Sequence, residues 1–193
     1  MRYLFFFFIL TNTFLMGQNH PPLNEIPAAP ENAVAGNVIA RMVQGLGYRY
    51  YWASKDLRIE DLSYRPSKEG ASTFETLEHI YGLAEVIRNA ATSSPTIRPL
   101  KSPPKDYIVL REKTLEYLEQ ANALYLNKTA AEVDQMQVIF QRANKLYDYP
   151  VWNLLNGPLA DAIYHTGQLV SFRRTSGNPL QQGVNVFIGK TKE

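Results

Sequence analysis

The chain has no cysteine. That excludes a disulfide framework, a lipid-attachment cysteine, thiolate metal ligands and a cysteine nucleophile together. It also lacks any large excess of one charge: 20 Lys and Arg against 18 Asp and Glu leave a formal +2, with the basic residues scattered. Nucleic-acid binding is set aside on that ground. No uninterrupted apolar run reaches the roughly 20 residues that a comfortable transmembrane helix needs. Histidine is scarce, with three in 193 residues, so where each one sits carries information.

What is present is an ordinary globular composition, 45% hydrophobic and 20% charged, in a chain long enough to enclose a core as one domain. Arg2 precedes "YLFFFFIL", and after "TNT" comes "FLMGQ". This short positive start and apolar run read as a signal peptide over residues 1–17, cut near Gly17 or Gln18. The expectation is an exported protein, periplasmic or extracellular, with no stable membrane anchor. An uncleaved anchor is the alternative. Residues 18–31, "QNHPPLNEIPAAPE", read as an extended linker that includes His20, and residues 32–193 as a single domain.

From Ala33 to Ala53 the spacing predicts a first helix, with Val34, Val38, Met42 and Leu46 near one line. Tyr48, Tyr50, Tyr51 and Trp52 read as core and rim packing. After the loop "DLSYRPSKEGAS", Ser72 and Glu75 form an S-x-x-E capping box, so a second helix should begin at about Thr73. Phe74, Leu77, Ile80, Tyr81, Ala84 and Ile87 make its apolar face. His79 falls at the rim of that face, one turn after Glu75. A third helix is expected from about Lys105 to Tyr125, with Ile108, Leu115 and Leu118 among its apolar positions.

The stretch from Asn127 to Tyr149 is mixed, with a short extended piece near 134–140, and "GVNVFIGK" suggests another near 184–188. The last helix lies within Pro150 to Thr175, where Pro158 either kinks it or opens its main part with Asn156 as a cap. Gly177 and Pro179 end it. On that helix Asp161, His165, Gln168 and Phe172 share a stripe, and Arg173 and Arg174 read as a solvated end on the helix dipole. Four long helices predict an all-α fold, a four-helix bundle.

The "RPS" loop before the helix bearing His79, the final "NGPLADAIYHTGQLVSFRR" and the closing "SGNP" together resemble the DinB/YfiT-like superfamily of metal-dependent bundle proteins. The resemblance covers nearly all of the mature chain. It implies a divalent metal, often zinc or nickel, held by one histidine on the second helix and two histidines spaced by four on the last. Carried over position by position, His79 is the first ligand and His165 the last. Asp161 stands where the remaining histidine would be.

Two imidazoles and a carboxylate are still an accepted metal triad. The carboxylate widens the choice of metal toward harder ions, so manganese and iron join zinc and nickel. Gln168 is expected to orient a ligand or bound water from behind, and Glu75 to do the same, act as a further ligand, or serve as the one marked candidate base. The resemblance implies a thiol-dependent transferase, whereas export favours a metal-dependent hydrolase, which needs only water. In either case the small-molecule substrate is unspecified, and the family's habit of pairing makes a homodimer an expectation. The alternative is a non-catalytic helical-bundle binding module whose metal is structural or absent; taken singly, His79 could bond Glu75 and the Asp161–His165 pair could fix helix register.

Overall fold

A computed structural model describes residues 23–192. The expected signal peptide at 1–17, His20 and the first part of the 18–31 linker lie outside the described residues. Most of the core is built by helices α1 (Ala35–Ala53), α3 (Thr73–Ala90), α4 (Tyr107–Tyr125) and α7 (Ala160–Thr175). Short helices α2 (Ile59–Ser63), α5 (Ala130–Asp134) and α6 (Trp152–Leu154) lie in their connections.

The all-α four-helix bundle expected from the sequence is overturned by strands. β1 (Pro95–Arg98), β2 (Gln137–Arg142) and β3 (Lys145–Pro150) form a three-stranded sheet, with β2 parallel to β1 and antiparallel to β3. β4 (Val184–Asn185) and β5 (Lys190–Thr191) make a second, two-stranded sheet, so the architecture is mixed α/β. The extended piece foreseen near 134–140 runs over 137–142, and of 184–188 only the first two residues are strand. The larger sheet is fixed on one side: Thr96 and Val138 are buried, and Asn89 near the end of α3 donates to Thr96 Oγ1 at 3.0 Å. β1 and β2 each bury one residue and β3 none, too few for an alternating pattern to declare itself. Residues Ala143 and Asn144 close the β2–β3 hairpin, with Ala143 at φ 51°.

α3 starts at Thr73, where its capping box predicts. Glu75 N–H donates to Ser72 Oγ at 3.1 Å, and Ser72 N–H donates to the Glu75 carboxylate at 2.8 Å. Leu77, Ile80, Ala84 and Ile87 are fully buried, and Phe74 and Tyr81 flank them half-buried. α1 is rotated from the expected line. Ile39, Ala40, Val43 and Leu46 face the core, while Val38 is 52% and Met42 46% exposed. The close approach at Gly36 accounts for this: a Cβ there would lie 2.2 Å from the Tyr125 carbonyl, and its N–H donates to Lys128 O. Ile108 of α4 also faces outward, while Leu115 and Leu118 are buried.

The last helical segment is broken. Gly157 has non-helical torsions (φ −100°, ψ −108°) inside the wide turn Leu155–Leu159, and Pro158 opens the main helix after it. Asn156 supplies no side-chain cap. At the other end Gly177 (φ 79°) turns the chain, with its N–H on Arg174 O and the Asn178 N–H on Arg173 O. These two bonds form a Schellman motif.

Arg173 is not the solvated residue expected from its place at a helix end. It is 4% exposed, and its guanidinium donates to the carbonyls of Trp52, Ala53 and Lys55 and to Asn178. Its charge therefore satisfies the C-terminal carbonyls of α1. Beside it, buried Asp61 accepts from Arg58, Ser176 and Asn178, tying α2 to the end of α7. The described part of the linker, residues 23–31, turns at its start, carries no regular element and is held in place. Ile26 N–H donates to Gly189 O, and the Trp52 indole donates to Asn24 O. Among the described residues no helix is long and apolar enough to cross a membrane.

Candidate metal centre

His79 projects from the middle of α3, Asp161 from the first turn of α7, and His165 from the next turn of α7. The packing of α3 on α7 brings all three together. The Asp161 carboxylate lies 3.2 Å from His79 Nε2 through one oxygen and 3.3 Å from His165 Nε2 through the other. The two imidazole rings meet edge to face, 4.5 Å between centroids. One ligand atom from each residue falls within 4.8 Å of the others.

The side chains are 49% (His79), 43% (Asp161) and 23% (His165) exposed. That bears on the alternative of a buried polar pair fixing helix register. An exposed ion pair is worth only about 0–1 kcal/mol, so this cluster is a weak structural device.

Gln168, one turn beyond His165, places its amide oxygen 2.7 Å from His165 Nδ1. A carbonyl oxygen only accepts, so in this arrangement Nδ1 carries a proton and, in the neutral ring, Nε2 keeps a lone pair. That lone pair faces the Asp161 carboxylate, another acceptor, at 3.3 Å. A cation between them, or a second proton on the ring, resolves the opposition. Orientation of a ligating histidine through its other nitrogen is the usual arrangement behind a metal ligand.

Glu75 does not join the group. Arg65 holds its carboxylate in a two-pronged pair at 2.7 and 2.8 Å, and the remaining bond comes from the Ser72 N–H. The Arg65 guanidinium, followed by the cap N–H, pulls the Glu75 carboxyl down to about 2, which leaves it a poor base. The expectation that Glu75 supports a ligand from behind is thus replaced by a role at the start of α3. Phe172, the far end of the expected stripe, packs on Tyr64 instead.

The sequence reading passed over three neighbours. Arg65 was visible only as part of "RPS". Tyr164 lies edge-on to the His165 ring at 5.3 Å. A cavity of about 750 Å³ opens beside His79, walled by α3, the end of β2 and residues 98–100, which only the undetected sheet brings there.

The donor set fits a small divalent ion. Tetrahedral bonds of about 2.1 Å place ligand atoms roughly 3.4 Å apart; the 3.2 and 3.3 Å contacts here run to different oxygens of the carboxylate, and the three ligand atoms lie within 4.8 Å of one another. Two neutral nitrogens and one carboxylate suit zinc, nickel, manganese or iron. Searches for similarity found no matching family model, curated protein or solved structure, so the DinB/YfiT-like resemblance stands on the residues alone.

Proposed function

We propose that the chain is a metal-dependent hydrolase of DinB/YfiT-like kind, with His79, Asp161 and His165 holding a divalent ion. One observation carries this reading: the Gln168 amide oxygen accepts from His165 Nδ1, which turns Nε2, the nitrogen free to ligate in the neutral ring, toward the Asp161 carboxylate. The order of the residues along the chain, one histidine on α3 and the acid–histidine pair on α7, supports it independently.

A bound divalent ion would supply Lewis-acid activation of a water molecule at neutral pH. The protein's residues supply the remainder. His79 and His165 give neutral nitrogen donors from two different helices, and Asp161 contributes the one negative charge. Gln168 fixes the ring of His165, and Arg65 keeps Glu75 ionised and turned to the helix cap. The exposure of His79 and Asp161 leaves an approach for substrate from the neighbouring cavity.

Elemental analysis tests this directly. The chain lacking residues 1–17, purified without a metal-affinity tag, is compared with the His79→Ala/His165→Ala double variant. Near-stoichiometric zinc, nickel, manganese or iron in the wild type, absent from a folded double variant, is the expected result. A wild type that stays empty after dialysis against those ions overturns the proposal, and the cluster is then a surface feature of a binding module.

A further inference from the structure

The cavity beside His79 has an apolar wall and a charged one. Leu83 and Val86 from α3, Leu100, Phe140 of β2 and Pro158 supply the first. Its volume of about 750 Å³ suits a small organic molecule. The charged wall comes from the sheet. Arg98 and Arg142 are register partners in the parallel β1–β2 ladder, so both fall on one face, and both line the cavity.

These two arginines differ in their partners. Arg98 is satisfied: it pairs with Glu85 at 2.9 Å and donates to the Gly82 carbonyl at 2.7 Å. Glu78, the acid on the same wall, is paired with Lys105 at 2.7 Å. The Arg142 side chain makes no hydrogen bond or ion pair among the described residues, its backbone being paired in the sheet. Arg142, exposed at the end of β2, therefore offers an unpaired guanidinium at the rim of the cavity, whose planar fork matches a carboxylate or phosphate group. The backbone turn that follows Arg142 passes through Ala143 in the left-handed region, so the chain reverses there and leaves the arginine at the sheet's end.

We infer that this cavity binds a small amphipathic anion, an apolar body against Leu83, Val86 and Phe140 with its acidic group on Arg142, as the substrate class of the adjoining centre. As a statement of substrate class the inference rests on the proposed hydrolase, but binding at Arg142 does not need the metal. Gly82 receives Arg98, and His79, one turn earlier on α3, lines the same cavity, which therefore reaches from the arginine pair to His79.

The probe is 4-phenylbutyrate, with its neutral amide as control. Binding is followed by calorimetry and by chemical-shift changes in the full mature chain, with and without EDTA. The acid should bind at least tenfold more tightly than the amide and shift Leu83, Val86 and Phe140. Arg142→Gln should lower the acid to the level of the amide, and Leu83→Trp should abolish binding of both. EDTA should leave the preference intact, and so should the His79→Ala/His165→Ala variant. Equal binding of acid and amide, no binding to wild type, or an acid preference unchanged in folded Arg142→Gln overturns the inference. An acid preference lost with EDTA also overturns it, because the anion would then be a ligand of the metal. An empty metal centre with the Arg142 preference intact refutes the hydrolase alone.

Discussion

Replacing Asp61 with alanine removes the centre of the clasp between α2 and the end of α7. The side chain is 1% exposed and accepts five hydrogen bonds: three from Arg58, one from Ser176 and one from Asn178. Breaking a buried charged pair by removing one partner costs about 3–5 kcal/mol. Here Arg58 is half in water and can rehydrate, so the lower end, about 3 kcal/mol, is expected. For a domain of this size that lowers Tm by about 6–12 °C. The same residue gives a pH signature. Bonds from Arg58, then from Ser176 and Asn178, hold the Asp61 carboxyl well below its ordinary value, more than its burial raises it. A depressed folded-state pKa stabilises the fold above the unfolded value of about 3.9, and that stability is lost as pH falls toward the folded value. Thermal unfolding of wild type and Asp61→Asn, followed by circular dichroism from pH 7 to pH 3, should show a gap that is constant above about pH 5 and narrows below it. A gap that stays constant down to pH 3, or an Asp61→Ala loss under about 1 kcal/mol, refutes the assignment of the clasp.

Gln168→Ala removes the acceptor that fixes the His165 ring and should weaken zinc binding about 10–100-fold, read by chelator competition. Unchanged affinity would show that the 2.7 Å bond does not tune the ligand. Gly167→Ala should stabilise by about 0.5–1 kcal/mol, because a Cβ there meets nothing within 4 Å and alanine is the better helix former. Metal content should not change, and a loss of stability would mean the exposed face of α7 is covered by something else.

Helix α3 and the placement of its histidine were legible because the information is local. Ser72 and Glu75 mark the start, and the 3.6-residue period then puts His79 at the rim. The same period brings Asp161, His165 and Gln168 onto one side of α7. The three-stranded sheet was not legible because its signal is long-range. β1 lies in a segment that the prolines at 95, 99, 103 and 104 present as loop, and its partner β2 lies about 40 residues further on. β3 is exposed along its whole length, so it has no apolar alternation to read. Arg173 shows the same limit at the level of one side chain. At the end of its own helix it looks solvated, and only the tertiary fold reveals that it serves the end of α1.

The break at Gly157 also settles the electrostatic setting of the acid at position 161. Because the helix restarts at Pro158, Asp161 lies in the first turn of α7. That end carries the equivalent of roughly half a positive elementary charge, and a carboxylate there gains about 0.3–1 kcal/mol. An imidazolium at the same place would lose a similar amount, so a histidine would be held neutral. His165, a full turn further on, is beyond most of this influence. The helix start thus supports a negatively charged donor at the position where the resembled family uses a neutral one. With a divalent ion the group carries one net positive charge rather than two, which lessens the repulsion of the ion by the same helix end.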